Sequence, residues 1–206
     1  MYKLHRRLFY FFAALFLFGC SSLPPEPESV EWQAHKTELE SLTQYTASGK
    51  LGYISPDQRQ TLNFHWSHSD NFTQVRLTTF LGQTVFNLTS TPNGSFIETY
   101  DGQKLSGKDV NVLIEQLTGL DIPIEQLSDW LVGLPATADS YQLNQFNTVG
   151  SLQKRITNKT WNLDYNEYRS FSLEGTENSL PMPTRMQLVQ GDTKLNLVVS
   201  KWTVKQ

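Results

Sequence analysis

The stretch Thr61-Leu62-Asn63-Phe64-His65-Trp66 decides how the rest of the chain is read. Successive side chains of an extended chain point to opposite faces, so Leu62, Phe64 and Trp66 share one face and Thr61, Asn63 and His65 the other. The same alternation returns on both sides. Upstream, residues 45–54 read as a strand followed by a Pro56-Asp57 turn. Downstream, Val75 and Leu77 alternate with Gln74, Arg76 and Thr78, and Phe86 and Leu88 resume the pattern after Gly82. Pro92-Asn93-Gly94 then turns the chain into residues 95–100. Short strands joined by tight turns are hairpins, so the sheet is expected to be antiparallel.

The period changes in three places. Residues 30–43 carry Trp32, His35, Leu39 and Leu42 on one face of an amphipathic helix, with Glu31, Glu38 and Glu40 largely away from it. In the middle, Ser106 is placed to cap a helix with Asp109 three residues on; Val110, Leu113, Ile114 and Leu117 form its stripe and Gly119 its end. Pro123 and Glu125 open a second short helix with Leu127, Trp130 and Leu131, stopped by Gly133 and Pro135. Strands resume at 141–146, 151–157, 160–165, 184–190 and 194–204, leaving 166–183 as a long connection whose shape the pattern does not fix. Helical segments between runs of one-sided strands suggest a curved antiparallel sheet with its apolar face covered by helices.

The N-terminus has another logic. Lys3, Arg6 and Arg7 precede an apolar run over residues 8–18 that closes on Leu17-Phe18-Gly19-Cys20. Basic start, short apolar run and small residue make a secretory signal. The run is about half the ~20 residues a membrane span needs, which argues against an uncleaved helix. A cysteine directly after Gly19 resembles the lipobox of bacterial lipoproteins, with Phe18 bulkier than that pattern's usual small residue. The resemblance implies cleavage before Cys20 and lipid on its thiol, and Ser21 in place of Asp implies export to the outer membrane. The expected organisation is a signal over 1–19, a lipidated cysteine and Pro-rich extended tether over 20–29, and one domain over 30–206.

Removing the signal takes out three basic residues and no acid, moving the formal charge from −3 to −6. A mildly acidic domain is a poor nucleic-acid partner. With its only cysteine lipidated, the chain has no thiol for a disulfide, a nucleophile or a metal. His65 and His68, three apart on a strand, point to opposite faces, and only Asp70 is near. No Gly-x-Ser-x-Gly turn or phosphate loop occurs. Asp121, Glu125 and Asp129 repeat every four residues, a spacing that reads as a solvated helix face. Neither an enzyme nor a bound metal or cofactor is expected. The rings are the unusual feature: Tyr53, Phe64, Trp66, Phe86, Trp130, Trp161, Tyr165 and Trp202 supply one interior. They either fill a core or, with Leu88, line an apolar pocket left by incomplete closure.

Four ordered segments resemble the LolB family of outer-membrane lipoprotein receptors. They are Ser48-Gly49-Lys50-Leu51-Gly52-Tyr53-Ile54 with Phe64-His65-Trp66; Leu77-Thr78-Thr79-Phe80-Leu81-Gly82; Leu117-Thr118-Gly119-Leu120 through Trp130-Leu131-Val132-Gly133-Leu134-Pro135; and Pro181-Met182-Pro183 with Met186-Gln187-Leu188 and Trp202. The resemblance implies an unclosed antiparallel β-barrel of about eleven strands with a helical lid over an apolar cavity. It implies a monomer that takes lipoproteins by their acyl chains from a LolA-like periplasmic carrier and inserts them among outer-membrane phospholipids. The family's exposed Pro-Leu-Gly loop, implicated in membrane delivery, corresponds here to Phe80-Leu81-Gly82. Leu81 is then the inserting residue, with Phe80 making the tip more apolar; the alternative is a tip folded back on the core. Other readings are a structural or assembly lipoprotein, or a carrier for another lipid.

Overall fold

The computed structural model describes residues 23–118, 122–156, 158–175 and 178–205. The alternation at 61–66 extends into a strand of eleven residues, and its neighbours behave alike. The strands are β1 (Gln44–Ile54), β2 (Arg59–Ser69), β3 (Phe72–Thr78), β4 (Thr84–Thr91), β5 (Gly94–Thr99), β6 (Lys104–Gly107), β7 (Ser140–Leu143), β8 (Val149–Ile156), β9 (Lys159–Ser172), β10 (Ser179–Gln190) and β11 (Thr193–Lys205). They form one sheet in the order β6-β5-β4-β3-β2-β1-β11-β10-β9-β8-β7, with neighbouring strands antiparallel. The outer strands β6 and β7 do not pair with each other, so the barrel is unclosed.

Alternate turns of such a sheet fall at opposite ends. The β1–β2, β3–β4, β5–β6, β8–β9 and β10–β11 turns share one end, the tip end. The β2–β3, β4–β5, β7–β8 and β9–β10 connections share the other, the base end.

Among the described residues three helices accompany the sheet: α1 (Trp32–Glu40), α2 (Val110–Thr118) and α3 (Ile124–Val132). α1 is shorter at both ends than the expected 30–43, because the Glu31 carboxylate accepts from the Gln33 and Ala34 amides at 3.0 and 2.7 Å and fixes the start. Its buried residues are Trp32, His35 and Leu39, the face read from the sequence. α3 ends at Gly133, whose φ of +91° suits a left-handed cap. Phenols lash α3 to the sheet: Tyr45 donates to Ser128 O at 2.5 Å and Tyr165 to Trp130 O at 2.7 Å.

The structure corrects three expectations. Ser106 lies in β6, opposite Phe96, and the cap of α2 is Asp109, whose Oδ1 accepts from the Asn111 and Val112 amides at 2.9 and 3.2 Å. The expected stop at Gly119 lies outside the described residues. The stretch 166–183 is mostly strand, since β9 runs on to Ser172 and β10 starts at Ser179. Pro181 and Pro183 are tolerated because β10 pairs with β11 only from Arg185 onward, leaving its first half one partner, β9. Finally, the four-residue acidic row is not one solvated face. Glu125 is exposed, Asp129 is half-buried, and Asp121 lies outside the described residues.

Candidate functional site

The inner faces of β1 to β5 and β11 do not fill the space beneath α2 and α3. A pocket of about 370 Å³ remains. Leu51 and Tyr53 of β1, Leu62, Phe64 and Trp66 of β2, Val75 and Leu77 of β3, Val85 and Phe86 of β4, and Leu195 and Leu197 of β11 form its sheet wall. Ile114, Leu117 and Thr118 of α2, Ile122, and Ile124 and Leu127 of α3 cover it. Gln58, Gln60 and Thr99 add polar groups near the strand ends. Gln58 precedes β2, Thr99 ends β5 and Tyr53 is next to last in β1, so the pocket runs along the strands from Trp66 to the tip end.

The cover is held at its joint, where Asn111 Oδ1 accepts from the Ile124 amide at 2.9 Å and ties α2 to the start of α3. Val85 reaches the wall through a register shift between β3 and β4 that leaves it with no residue directly opposite on β3. Within β11 another shift near Gly49 changes the phase of the strand, so Leu195, Leu197 and Val199 and then Trp202 and Val204 all turn inward.

The hairpin tip between β3 and β4 stands at the same end. Phe80 and Leu81 are 84% and 80% exposed. The turn beneath them is firmly closed: Gly82 N donates to Thr79 O at 3.0 Å, Thr79 N to Gln83 O at 2.8 Å, and Asn63 Nδ2 to Thr79 O at 3.1 Å. Gly82 has φ +83°, a conformation that favours glycine. The tip is not folded back on the core. Tyr100, in the adjacent β5–β6 turn, is also exposed, and its amide donates to Val85 O at 3.1 Å.

Of the rings and side chains picked from the sequence for a cavity, Tyr53, Phe64, Trp66 and Phe86 meet at this wall. Leu88, Trp130, Trp161 and Trp202 are buried elsewhere in the interior, and Trp202 Nε1 donates to Pro183 O at 2.8 Å. Ring size as a criterion misses the aliphatic wall at Leu51, Leu117, Ile122, Leu195 and Leu197. The usable signal was position: these are inward-facing aliphatics near one end of their elements. Cys20 lies outside the described residues.

Electrostatics near the site are sparse. Burial pushes the Asp129 carboxyl above its ordinary range, and the buried Tyr45 and Tyr165 phenols are pushed well up, mainly by burial, Tyr45 further by Asp129 and Tyr165 further by Tyr168 and then Asp129. His65 Nδ1 meets Ser48 Oγ and His68 Nδ1 meets Thr73 Oγ1, each at 2.8 Å, so the two histidines serve separate contacts. Among the described residues no group of three or more His, Cys, Asp or Glu could hold a metal ion.

Residues 43–202 match the family described as "Outer membrane lipoprotein LolB". The chain belongs to the LolB family.

Among its relatives, the outer-membrane lipoprotein LolB of Vibrio vulnificus is 52% identical over 191 residues, covering 93% of this chain and 94% of the relative. That of Vibrio cholerae is 44% identical, covering 99% of each. That of Pectobacterium atrosepticum is 34% identical, covering 94% of this chain and 93% of the relative. A solved DUF1329 family protein from Desulfovibrio piger superposes with a TM-score of 0.53 at 5% identity, over 83% of this chain and 89% of that one, a likeness of fold alone. Membership places the chain among outer-membrane lipoproteins concerned with lipoprotein localisation, not among enzymes. No helix of the described residues is long and apolar enough to cross a membrane.

Proposed function

We propose that this LolB-family protein accepts lipoproteins from a LolA-like periplasmic carrier by their acyl chains and delivers them into the outer membrane. Residues 1–19 serve as the signal, Cys20 carries the lipid anchor on the periplasmic face, residues 20–29 join it to the body, and 30–206 work as a single monomeric domain. The observation that carries this reading is the placing of the pocket's outer reach and the exposed Phe80-Leu81 pair at one end of the sheet.

The chemistry requires such a path. An acyl chain of about 16 carbons gains on the order of 10 kcal/mol on leaving water, at ~0.8 per CH₂, so free diffusion through the periplasm is too slow to serve. The chain passes from one apolar cavity to another, mouth to mouth. Each handover runs downhill, and every tenfold bias requires only ~1.4 kcal/mol of differential affinity. Phe80 and Leu81 enter the phospholipid interface and bring the mouth to it, while the anchor at Cys20 raises the local concentration.

Two assays test this. A soluble form lacking Cys20 is mixed with carrier preloaded with a lipoprotein, and cargo is expected to move onto it. Cargo that stayed on the carrier while a hydrophobic dye still entered the pocket would point to another lipid; loss of both would leave a structural role. In the second assay, Leu81→Glu is expected to keep cargo binding and to slow delivery into liposomes at least tenfold. Delivery at the parent rate would rule out the tip.

A further inference from the structure

The segment ahead of α1 is expected to be a free tether, yet over residues 25–30 it lies on the body. Pro25 O accepts from Ser170 N at 3.0 Å, on a part of β9 beyond the reach of β8, whose pairing begins at Ser151 opposite Asp164. Glu26 faces Arg169 across 3.7 Å, and Pro27 is buried. In the β7–β8 turn, Asn147 adopts φ +58° and donates from Nδ2 to Ser29 Oγ and Val30 O, both at 3.0 Å. Val30 N donates to Phe146 O at 3.0 Å. All these partners belong to the base end, opposite Phe80-Leu81. The side chains of Leu23, Pro25, Glu26, Glu28 and Ser29 remain exposed, so a few polar contacts and one buried ring hold the segment, the kind of unit that opens before the rest of a fold.

Covalent reach turns this into a constraint. From Cys20 to Pro25 is five residues, at most about 18 Å of extended chain. From Cys20 to the cap of α1 at Glu31 is eleven, at most about 40 Å. β1, with eleven residues, separates the two ends of the sheet by about 36 Å along its length at ~3.3 Å per residue. With the segment seated, a body standing on its tip end cannot also keep its anchor in the same bilayer. With the segment lifted, it can.

We propose that residues 25–30 are a releasable strap: seated, they hold the lipid anchor near the base end, and their release lets the Phe80-Leu81 tip and the pocket mouth reach the bilayer that holds the anchor. This rests on the reading of Cys20 as anchor and Phe80-Leu81 as the bilayer contact.

The test locks the strap. Ser29→Cys with Asn147→Cys joins two side chains already in contact, and in the lipidated full chain Cys20 adds no free thiol. Delivery of a carrier-bound lipoprotein into phosphatidylethanolamine–phosphatidylglycerol vesicles is followed for the oxidised and reduced forms, with closure of the bond checked by mass. The oxidised form is expected to deliver at least tenfold more slowly and the reduced form at the parent rate. A ten-residue Gly/Ser spacer between Ser22 and Leu23 is expected to rescue the oxidised form, since it restores about 33 Å of reach without freeing the strap. Oxidised protein as fast as reduced, beside a slow Leu81→Glu control, overturns the strap and leaves the tip standing. A Leu81→Glu control as fast as the parent overturns the tip, and the strap with it. If the bond does not close, Glu26→Ala with Asn147→Gly loosens the strap while keeping the turn; this pair is expected to deliver several-fold faster, and an unchanged rate overturns the proposal.

Discussion

His35 and Asp129 are charges the fold would rather not hold, and they respond to pH in opposite senses. His35 is 2% exposed beside Trp32, and burial pushes its pKa from 6.5 down to about 4. The unfolded chain therefore takes a proton before the native one as pH falls. Stability from the neutral ring is full above pH 6.5 and declines as pH drops toward about 4, on the order of 3 kcal/mol in all. Denaturant titrations at pH 4.5 and 7.5 should show this slope in the parent and its flattening in His35→Leu; equal slopes would remove His35 as the cause. Asp129 has a raised pKa, from burial, so its contribution is present below about 3.8 and lost as pH rises through the folded value. Asp129→Asn should therefore melt higher than the parent at pH 7, with the gap closing toward pH 4. A gap that persists in acid would assign the effect to packing.

Among the elements, β1 and β11 form the seam on which the sheet order turns. At Gly49 a β-carbon would stand 1.9 Å from Val198 O, a backbone atom with no freedom to yield. Gly49→Ala should cost about 3 kcal/mol or more by overpacking, read as a fall in denaturation midpoint with the slope unchanged. That seam also marks what the sequence could tell. Period-two alternation located β1 to β5 because their fully buried residues keep one parity: Leu62, Phe64 and Trp66, then Val75 and Leu77, then Phe86 and Leu88. It failed across the junction of β9 and β10. Between Tyr165 and Tyr168 the ladder of β9 and β10 slips, so both tyrosines face inward although three residues apart, and the prolines of β10 reinforced the impression of a loop. β6 was too short, at four residues, to show a period at all. The tip at Phe80-Leu81 is marked by the family resemblance, since alternation alone gives no more than a break near Gly82. The pocket wall was legible only in part, at Tyr53, Phe64, Trp66 and Phe86, because what separates wall from core is the absence of a facing side chain, which no single strand records.

At the scale of the molecule the interior divides into two halves of different character. Around β8, β9 and β10 the space is filled: Trp130, Trp161, Leu163, Leu180, Met182 and Leu188 are each at most 1% exposed. Around β1 to β4, beneath α2, the pocket remains, although its wall is made of the same kinds of side chain. A filled half gives the rigidity that holds a hollow half open, since apolar walls left to themselves would close on one another. Stability and lipid uptake should therefore separate by position and not by residue type. Trp161→Ala removes a ring from the filled half and should cost about 3–5 kcal/mol, while binding of a hydrophobic dye to the still-folded protein stays near the parent value. Leu117→Trp, from α2 into the hollow half, should do the reverse: dye binding falls several-fold and the melting temperature holds or rises, because the new ring occupies space that no protein atom fills. Parallel melts and dye titrations on the two variants decide the matter. If Leu117→Trp destabilised as strongly as Trp161→Ala, the pocket would be close-packed in solution, and lipid would have to enter elsewhere.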